Sequence, residues 1–445
     1  MKIAALLLIL AAIPASSADL ASTVAAALGR SPLLAETRAR KRQAEAAANE
    51  ASMSRLPRLA ARGSFMRSDD PLFAFGELLQ ERRVTQADFS PDKLNRPGYQ
   101  TAVRGALELG VPLFTGFELT RARKLAALAA GEAEAGGGAA GQAIGLSAVD
   151  DYLKILKDLA LLTELDARIQ SSASEVESAE RLKRQGLVLG SDHQAALAIL
   201  SGLKAWRARA AAEKAAHEAG LSVLIGGNLQ MPTGTLQDWQ APLEDDLSLV
   251  TTALASRPEL RSAGLRKQAA GVRRQGAAQS VFPVVDAFAA VQTAADGLSS
   301  GAASRLVGLR ASIPFGDPSY FGRLAQAQAA EEAAKSSQEG LEDMVRGEVL
   351  ARAAGLRGLA ASLPELAESL SRARQSLEQV RPLYREGRQS VMEVLRAEEA
   401  VARLTESRLE ALRLLRSEWA ALRAAQGRLD DDAISVLSKS LEDLR

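Results

Sequence analysis

Two hydrophobic periods alternate along this chain, and each predicts a different kind of element. From 101 to 111 the odd positions are mostly apolar, whereas Arg104 and Glu108 lie on the even ones. Alternation of this kind predicts a β-strand with one apolar and one polar face. Four strands are predicted in two hairpins, at 58–68 and 99–114 and then at 281–294 and 304–315. The third strand is apolar on both faces and is the least regular of the four.

Long segments between the strands repeat at helical spacing. The seam positions are Leu162, Leu165, Ile169 and Val176 in the first half, and Leu412, Leu415, Trp419 and Leu422 in the second. Steps of three and four residues are typical of a coiled coil. No proline occurs from 115 to 185, which predicts one very long helix there. Gly136, Gly137 and Gly138 lie inside it, and because each glycine costs about 1 kcal/mol relative to alanine, strain or a bend is expected.

The elements occur twice in the same order, which indicates an internal duplication. Ser31-Pro32 and Arg257-Pro258 each open a helical stretch, and a second proline, Pro57 or Pro283, follows at the same spacing. The predicted organisation is a leader at 1–18, a first repeat at 19–226, an equatorial linker at 227–247, a second repeat at 248–427 and a tail at 428–445. The β-hairpins fall at 58–114 and 281–315, and the first carries an extra segment at 66–98.

Residues 1–18 have the pattern of a secretion signal. Lys2 is followed by the apolar run 3–13 and by small residues that suit cleavage near Ala18. The chain has no cysteine, which excludes disulfides, thiol catalysis and a lipid-modified N-terminal cysteine. Its 55 basic and 54 acidic residues nearly cancel, so nothing indicates a nucleic-acid partner. Aromatic residues make up only 4%, which favours long helices over thick globular cores.

Four strands cannot close a barrel by themselves. If the strands lie in a membrane, an open sheet edge would leave backbone groups unsatisfied in lipid. Other chains must then complete the barrel, and two chains would supply eight strands whereas three would supply twelve. Physical argument alone allows both numbers. No stretch after the leader is long and apolar enough to predict a transmembrane helix.

At two helical turns the sequence resembles the TolC-like outer-membrane efflux proteins. The first turn reads Gly-Leu-Val-Leu-Gly-Ser-Asp at 186–192, and the second reads Tyr-Arg-Glu-Gly at 384–387, followed by Glu-Val-Leu-Arg-Ala-Glu at 393–398. The resemblance extends over essentially the whole mature chain. It implies a mainly α-helical protein whose coiled coils form a periplasmic α-barrel. Four strands from each chain of a homotrimer would complete one twelve-stranded membrane β-barrel.

The same resemblance implies a passive function. The protein would be the outer-membrane exit duct of a tripartite efflux or type I secretion system, embedded in outer-membrane lipid. A periplasmic adaptor and an inner-membrane transporter would open it, and Gly186, Gly190 and Gly387 mark the helical tips, near 186–192 and 387–393, where the adaptor would dock. No enzymatic activity, cofactor or metal is expected.

Roles at the gate follow from motif position within this resemblance. Asp192 and Tyr384 correspond to a family pair that links neighbouring coiled coils at the closed periplasmic end. Glu393 corresponds to an acidic position of the constriction. Arg396 stands where the family has another acid, so the charge of the ring is expected to be largely cancelled.

Other motifs suggest an active site or a ligand site, but each lacks the further residues that such a site requires. Residues 297–301 read Gly-Leu-Ser-Ser-Gly, like a hydrolase nucleophile elbow, but no histidine follows His217. His193 and His217 are the only histidines, and no metal-ligand spacing surrounds them. The glycines at 136–138 lack the ending of a phosphate-binding loop. These motifs therefore do not predict an enzyme.

An alternative function remains open at this stage. The chain could be a periplasmic coiled-coil adaptor or a structural coiled coil, because such proteins also combine long helical hairpins with a secretion signal. Its strands would then belong to a soluble β-domain.

The role of the segment at 66–98 is also open. It is interpreted as an outer loop that either caps the exit or only protects it. Its aromatic residues also suit the belt of aromatic side chains at a membrane–water interface.

Overall fold

The computed structural model describes residues 19–227, 230–297, 301–314 and 316–442. The predicted signal sequence at 1–18 lies outside these residues. The chain forms two compact units. The sheet unit, Arg40–Glu132 with Ala263–Ser337, carries the four strands, and the helical unit comprises the remaining described residues.

Long helices dominate the described residues, and the strands come in two pairs. In chain order the elements are α1 (Leu20–Arg30), α2 (Pro32–Met53), β1 (Arg58–Ser68), α3 (Pro71–Gln80), α4 (Pro91–Asn95), β2 (Gln100–Thr115), α5 (Glu118–Arg184), α6 (Gly190–Ile225), α7 (Asp246–Ser256), α8 (Pro258–Ala278), β3 (Val284–Ala295), β4 (Ala302–Ser312), α9 (Ser319–Arg385), α10 (Val391–Ala425) and α11 (Asp431–Lys439). The predicted fold class is confirmed. Within the described ranges, no helix combines the length and apolar character needed to cross a bilayer.

The two halves of the chain have matching elements. Helices α5 and α9 have 67 residues each, and α1 and α7 have 11 residues each. A single residue separates α1 from Pro32 and α7 from Pro258, where the next helix begins. Proline suits a helix start because its missing amide hydrogen would have no partner there. The duplication predicted from the sequence is confirmed.

The strands form one antiparallel sheet in the order β1-β2-β3-β4. Leu107 of β2 pairs with Ala61 of β1 on one side and with Val291 of β3 on the other, so these three side chains share a face. On the opposite face, Ala106 pairs with Arg62 and with Gln292. One face is therefore apolar and the other polar, as the alternation predicts.

The bounds of the second hairpin differ slightly from the prediction. Strand β3 begins at Val284, later than predicted, because a 3₁₀ turn at Gln279–Val281 and then Pro283 precede it. Strand β4 runs from Ala302 to Ser312 and ends before Pro314. Proline cannot donate a ladder hydrogen bond, which accounts for both limits.

Helix α5 continues through its three consecutive glycines without interruption. A Cβ placed on Gly137 would lie 3.2 Å from Oγ1 of Thr37, and one placed on Gly138 would lie 3.2 Å from Cγ of Pro258. These glycines let α2 and α8 approach the α5 backbone closely. Close packing against two neighbours offsets the low helix propensity of glycine.

Arg416 joins the equatorial segment and the C-terminal helix to α10. Its fully buried guanidinium donates to the carbonyl oxygens of Gln237 at 2.9 Å and Ser440 at 2.8 Å. It also lies over the ring of Trp239. Burial lowers the pKa of Arg416 to about 10, which leaves it charged at neutral pH. One side chain thus ties together the segments predicted as linker and tail.

Candidate channel wall and gate

The apolar face of the sheet is open to its surroundings. Phe65 is 71% exposed, Val307 82% and Leu309 71%, and all three lie on the same face as Leu107. A contiguous apolar surface of this kind marks an interaction site on a protein. Apolar side chains that alternate with polar ones along a strand are typical of a β-barrel wall between lipid and water.

The opposite face carries most of the charges of the sheet, although Arg67 and Arg305 lie on the apolar face. Arg62 lies 3.8 Å from Glu108 across the β1–β2 ladder, and Arg104 and Arg310 share this face. The sheet ends in two open edges, β1 and β4, in the single chain. Because unpaired edge groups are costly in lipid, the sheet suits a wall that other strands must complete.

The first helical tip joins α5 to α6. Gly186 has φ of +79°, a left-handed conformation that favours glycine. The amide of Leu187 donates to the carbonyl of Leu182 at 3.0 Å, which closes the end of α5. Helix α6 begins at Gly190, and both Leu187 and Leu189 are exposed in the turn. The tip therefore presents two apolar side chains to its surroundings.

The second helical tip repeats this geometry between α9 and α10. Gly387 has φ of +73°, and the amide of Arg388 donates to the carbonyl of Leu383 at 2.8 Å. Ser390 caps α10 by accepting from the amide of Met392. The matching turns explain why glycine occupies the same place in both repeats.

Glu393 and Arg396 lie together in the first turns of α10. Nη1 of Arg396 is 3.2 Å from Oε1 of Glu393, and both side chains are at least half exposed. The pair brings opposite charges together on one helix face. The structure of one chain leaves the predicted charge of the ring untested.

Tyr384 is buried, and its hydroxyl donates to the backbone carbonyl of Glu175 at 3.4 Å. Burial, and then the negative charge of Glu175, raise the pKa of Tyr384, so the phenol remains a proton donor. Asp192 lies in the first turn of α6 and is half-buried. Among the hydrogen bonds of the described residues within one chain, none joins Asp192 to Tyr384. The structure of one chain thus leaves their predicted link untested.

A buried carboxylate that the sequence reasoning did not assign lies near the tips. Glu398 of α10 is fully buried, and its Oε2 accepts from Nη1 of Arg168 at 2.9 Å. Its Oε1 accepts from Oγ of Ser171 at 2.5 Å and contacts Arg381 of α9. Glu398 therefore links α5, α9 and α10. A charged residue in the apolar stripe of α10 was the sequence signal for it.

Both histidines have carboxylate partners in the helical unit. Nε2 of His193 lies 3.0 Å from Glu180, and Nδ1 of His217 lies 2.6 Å from the buried Asp158. No group of three or more His, Asp or Glu side chains that could hold a metal occurs in the described parts of the chain. Residues 298–300 of the hydrolase-like motif lie outside the described residues.

Three solved structures share this fold at low sequence identity. VceC, an outer membrane protein of Vibrio cholerae, has 21% identity and a TM-score of 0.76, covering 92% of this chain and 97% of VceC. The CmeC outer membrane channel of Campylobacter jejuni has 15% identity and a TM-score of 0.75, covering 96% and 90%. The MtrE outer membrane channel of Neisseria gonorrhoeae has 16% identity and a TM-score of 0.69, covering 92% and 89%.

The fold of this chain is therefore shared with outer-membrane channels. Residues 249–428 match the family model described as outer membrane efflux protein. This match confirms, for the second half of the chain, the resemblance noted in the sequence. No curated protein sequence matches that of this chain.

Proposed function

We propose that the chain is the outer-membrane exit duct of a tripartite efflux or type I secretion system. The observation that carries the proposal is the four-stranded sheet, which exposes a mostly apolar face, holds most of its charges on the other face and has two open edges. A homotrimer would supply twelve strands and pair both edges of each chain. Lipid would then contact the apolar face, and the polar face would line the pore.

The closed end of the duct is assigned to the helical tips. Asp192 and Tyr384 are proposed to form a hydrogen bond between neighbouring coiled coils, with Glu393 and Arg396 at the constriction. The exposed Glu393–Arg396 pair supports a ring with little net charge. Glu398 adds a contact within each chain, since it joins helices of both repeats.

A periplasmic adaptor is proposed to dock at the tips and an inner-membrane transporter to drive transport. Leu187 and Leu189 support this, because two exposed leucines in a tight turn offer apolar anchors to a partner helix. The chain has no cysteine, so single cysteines can carry a crosslinker. Leu187→Cys at the tip should capture an adaptor in cells. Val223→Cys, at an equally exposed apolar position near the end of α6, is the matched control.

The reverse crosslinking pattern, with capture at Val223 and none at Leu187, would move docking to the equatorial region.

The alternative function, a periplasmic adaptor or structural coiled coil, is disfavoured by the family match and by the exposed apolar face of the sheet. Membrane extraction separates the two functions. An exit duct should leave membranes only with detergent, as a trimer that conducts ions in lipid bilayers. Release by salt or alkali as a soluble chain would support the alternative.

A further inference from the structure

The segment at 69–99 between β1 and β2, here called the insertion, is folded rather than extended. Asp70 caps α3 by accepting from the amide of Phe73 at 2.8 Å. The rings of Phe75 and Phe89 pack edge to face with centroids 5.4 Å apart. The other hairpin has only the short connection 296–301 in the same place. The insertion therefore carries structure that joining two strands does not require.

An ion pair with a buried carboxylate joins the insertion to the polar face of the sheet. Glu77 of α3 is 1% exposed, and its carboxylate contacts the guanidinium of Arg104 in β2. A carboxylate is costly to bury unless a cation accompanies it. Arg104 is thus the group that allows α3 to lie against the sheet, and the pair acts as an anchor.

Two arginines that follow α3 reach the second hairpin. Nη2 of Arg82 donates to the carbonyl of Ala303 in β4 at 3.1 Å, and Arg83 forms an ion pair with Asp296 after β3. The insertion leaves the sheet between β1 and β2, yet it also contacts the far edge strand. It must therefore cross the polar face instead of extending away from the strand ends.

We propose that the insertion forms a fixed constriction inside the exit of the barrel, held in place by the Glu77–Arg104 pair. This rests on the proposed function, since the polar face lines a pore only when the sheet closes into a barrel. Three insertions in a trimer would narrow the lumen where a cavity between insertion and sheet is lined by Arg62, Arg82 and Arg104. The size of a passing solute would then be limited at the exit as well as at the helical tips.

The direct test shortens the insertion. Replacing residues 69–99 by the short connection of the other hairpin should raise single-channel conductance about twofold or more, because pore width controls conduction. Larger uncharged polyethylene glycols should then enter the pore. Glu77→Arg should also raise conductance. The double variant Glu77→Arg with Arg104→Glu should return conductance to the wild-type level by rebuilding the pair. Asp92→Asn, an exposed carboxylate of the same segment, should leave conductance unchanged.

The outcomes separate this proposal from the proposed function. If the wild type and all variants fail to conduct, the exit duct itself is refuted. If the wild type conducts and the shortened variant conducts equally, only the constriction is refuted. A heat-resistant trimer band on a gel shows whether each variant has folded.

A cysteine pair covers the case in which the shortened variant does not assemble. Glu77→Cys and Arg104→Cys, joined by a short bifunctional thiol reagent, would lock the insertion on the sheet. The unlocked double variant lacks the ion pair and should conduct more than the wild type, whereas the locked channel should conduct like the wild type. A locked channel that conducts less than the wild type would show that the insertion normally lies elsewhere and would overturn the proposal.

Discussion

Nη1 of Arg168 lies 2.9 Å from Oε2 of Glu398, a carboxylate that α10 buries completely against α5 and α9. Arg381 contacts the other carboxylate oxygen from α9. Removing one partner of a buried ion pair leaves an uncompensated charge and costs about 3 kcal/mol or more. The two helical hairpins of one chain are therefore coupled at this point, close to the proposed gate.

Replacing Glu398 with glutamine should loosen the closed end. Glu398→Gln keeps the shape of the side chain but leaves Arg168 and Arg381 without their shared anion, so a closed channel should conduct more in a bilayer. Glu399→Gln changes a partly exposed carboxylate on the same helix, which pairs with Arg403, and serves as the control. Equal conductance of Glu398→Gln and wild type would limit the network to a role in folding.

The proposed link between Asp192 and Tyr384 can be tested by a double-mutant cycle. Tyr384→Phe removes the hydroxyl and keeps the ring, and Asp192→Asn removes the charge. A charge-assisted hydrogen bond contributes roughly 1.5 to 3 kcal/mol when shielded from water. Each single variant should therefore raise basal conductance, and the double variant should add little to either. If the two effects add in full, the side chains act independently and no link exists.

The sheet supplies a prediction about insertion into the membrane. Leu107→Asp and Leu309→Asp place a carboxylate on the exposed apolar face, at a depth-dependent cost of up to a few kcal/mol in lipid. Both should reduce the amount of assembled trimer in the outer membrane. Ser304 lies on the polar face of β4, so the control variant Ser304→Asp should assemble normally. Equal loss at all three positions would mean that the apolar face does not meet lipid.

The parts of the fold that depend on local pattern were predictable from the sequence. Alternation revealed the strands, and the spacing of prolines revealed the duplication. The anchor between Glu77 and Arg104 was not predictable, because it joins an irregular segment to a strand by one long-range contact. The Glu398 network was missed for a related reason. Its partners come from two other helices, α5 and α9, and the sequence shows only a charge where an apolar residue is usual.

Acid should destabilise the helical unit only at low pH. Asp150 is half-buried, and although burial opposes the charged form, hydrogen bonds from Lys154 and Ser417 hold its pKa below the ordinary value of 3.8. The hydrogen bond from Arg413 likewise lowers the pKa of Glu410 below 4.5. A carboxylate with a lowered pKa stabilises the fold above its unfolded pKa, and this stability is lost as the pH falls through the folded value.

The melting temperature of the trimer in detergent can be followed by the circular dichroism of its helices. As far as these carboxylates are concerned, it should vary little between pH 7 and pH 5, and it should decrease once the pH is below about 4. Asp150→Asn removes one of these charges while Glu410 remains beside Arg413. At pH 7 this variant should melt at a lower temperature than wild type. The gap should narrow progressively as the pH falls below 3.8, because protonation then removes the same charge from the wild type. A gap that stays constant over this acid range would assign the effect of Asp150 to packing and not to its charge.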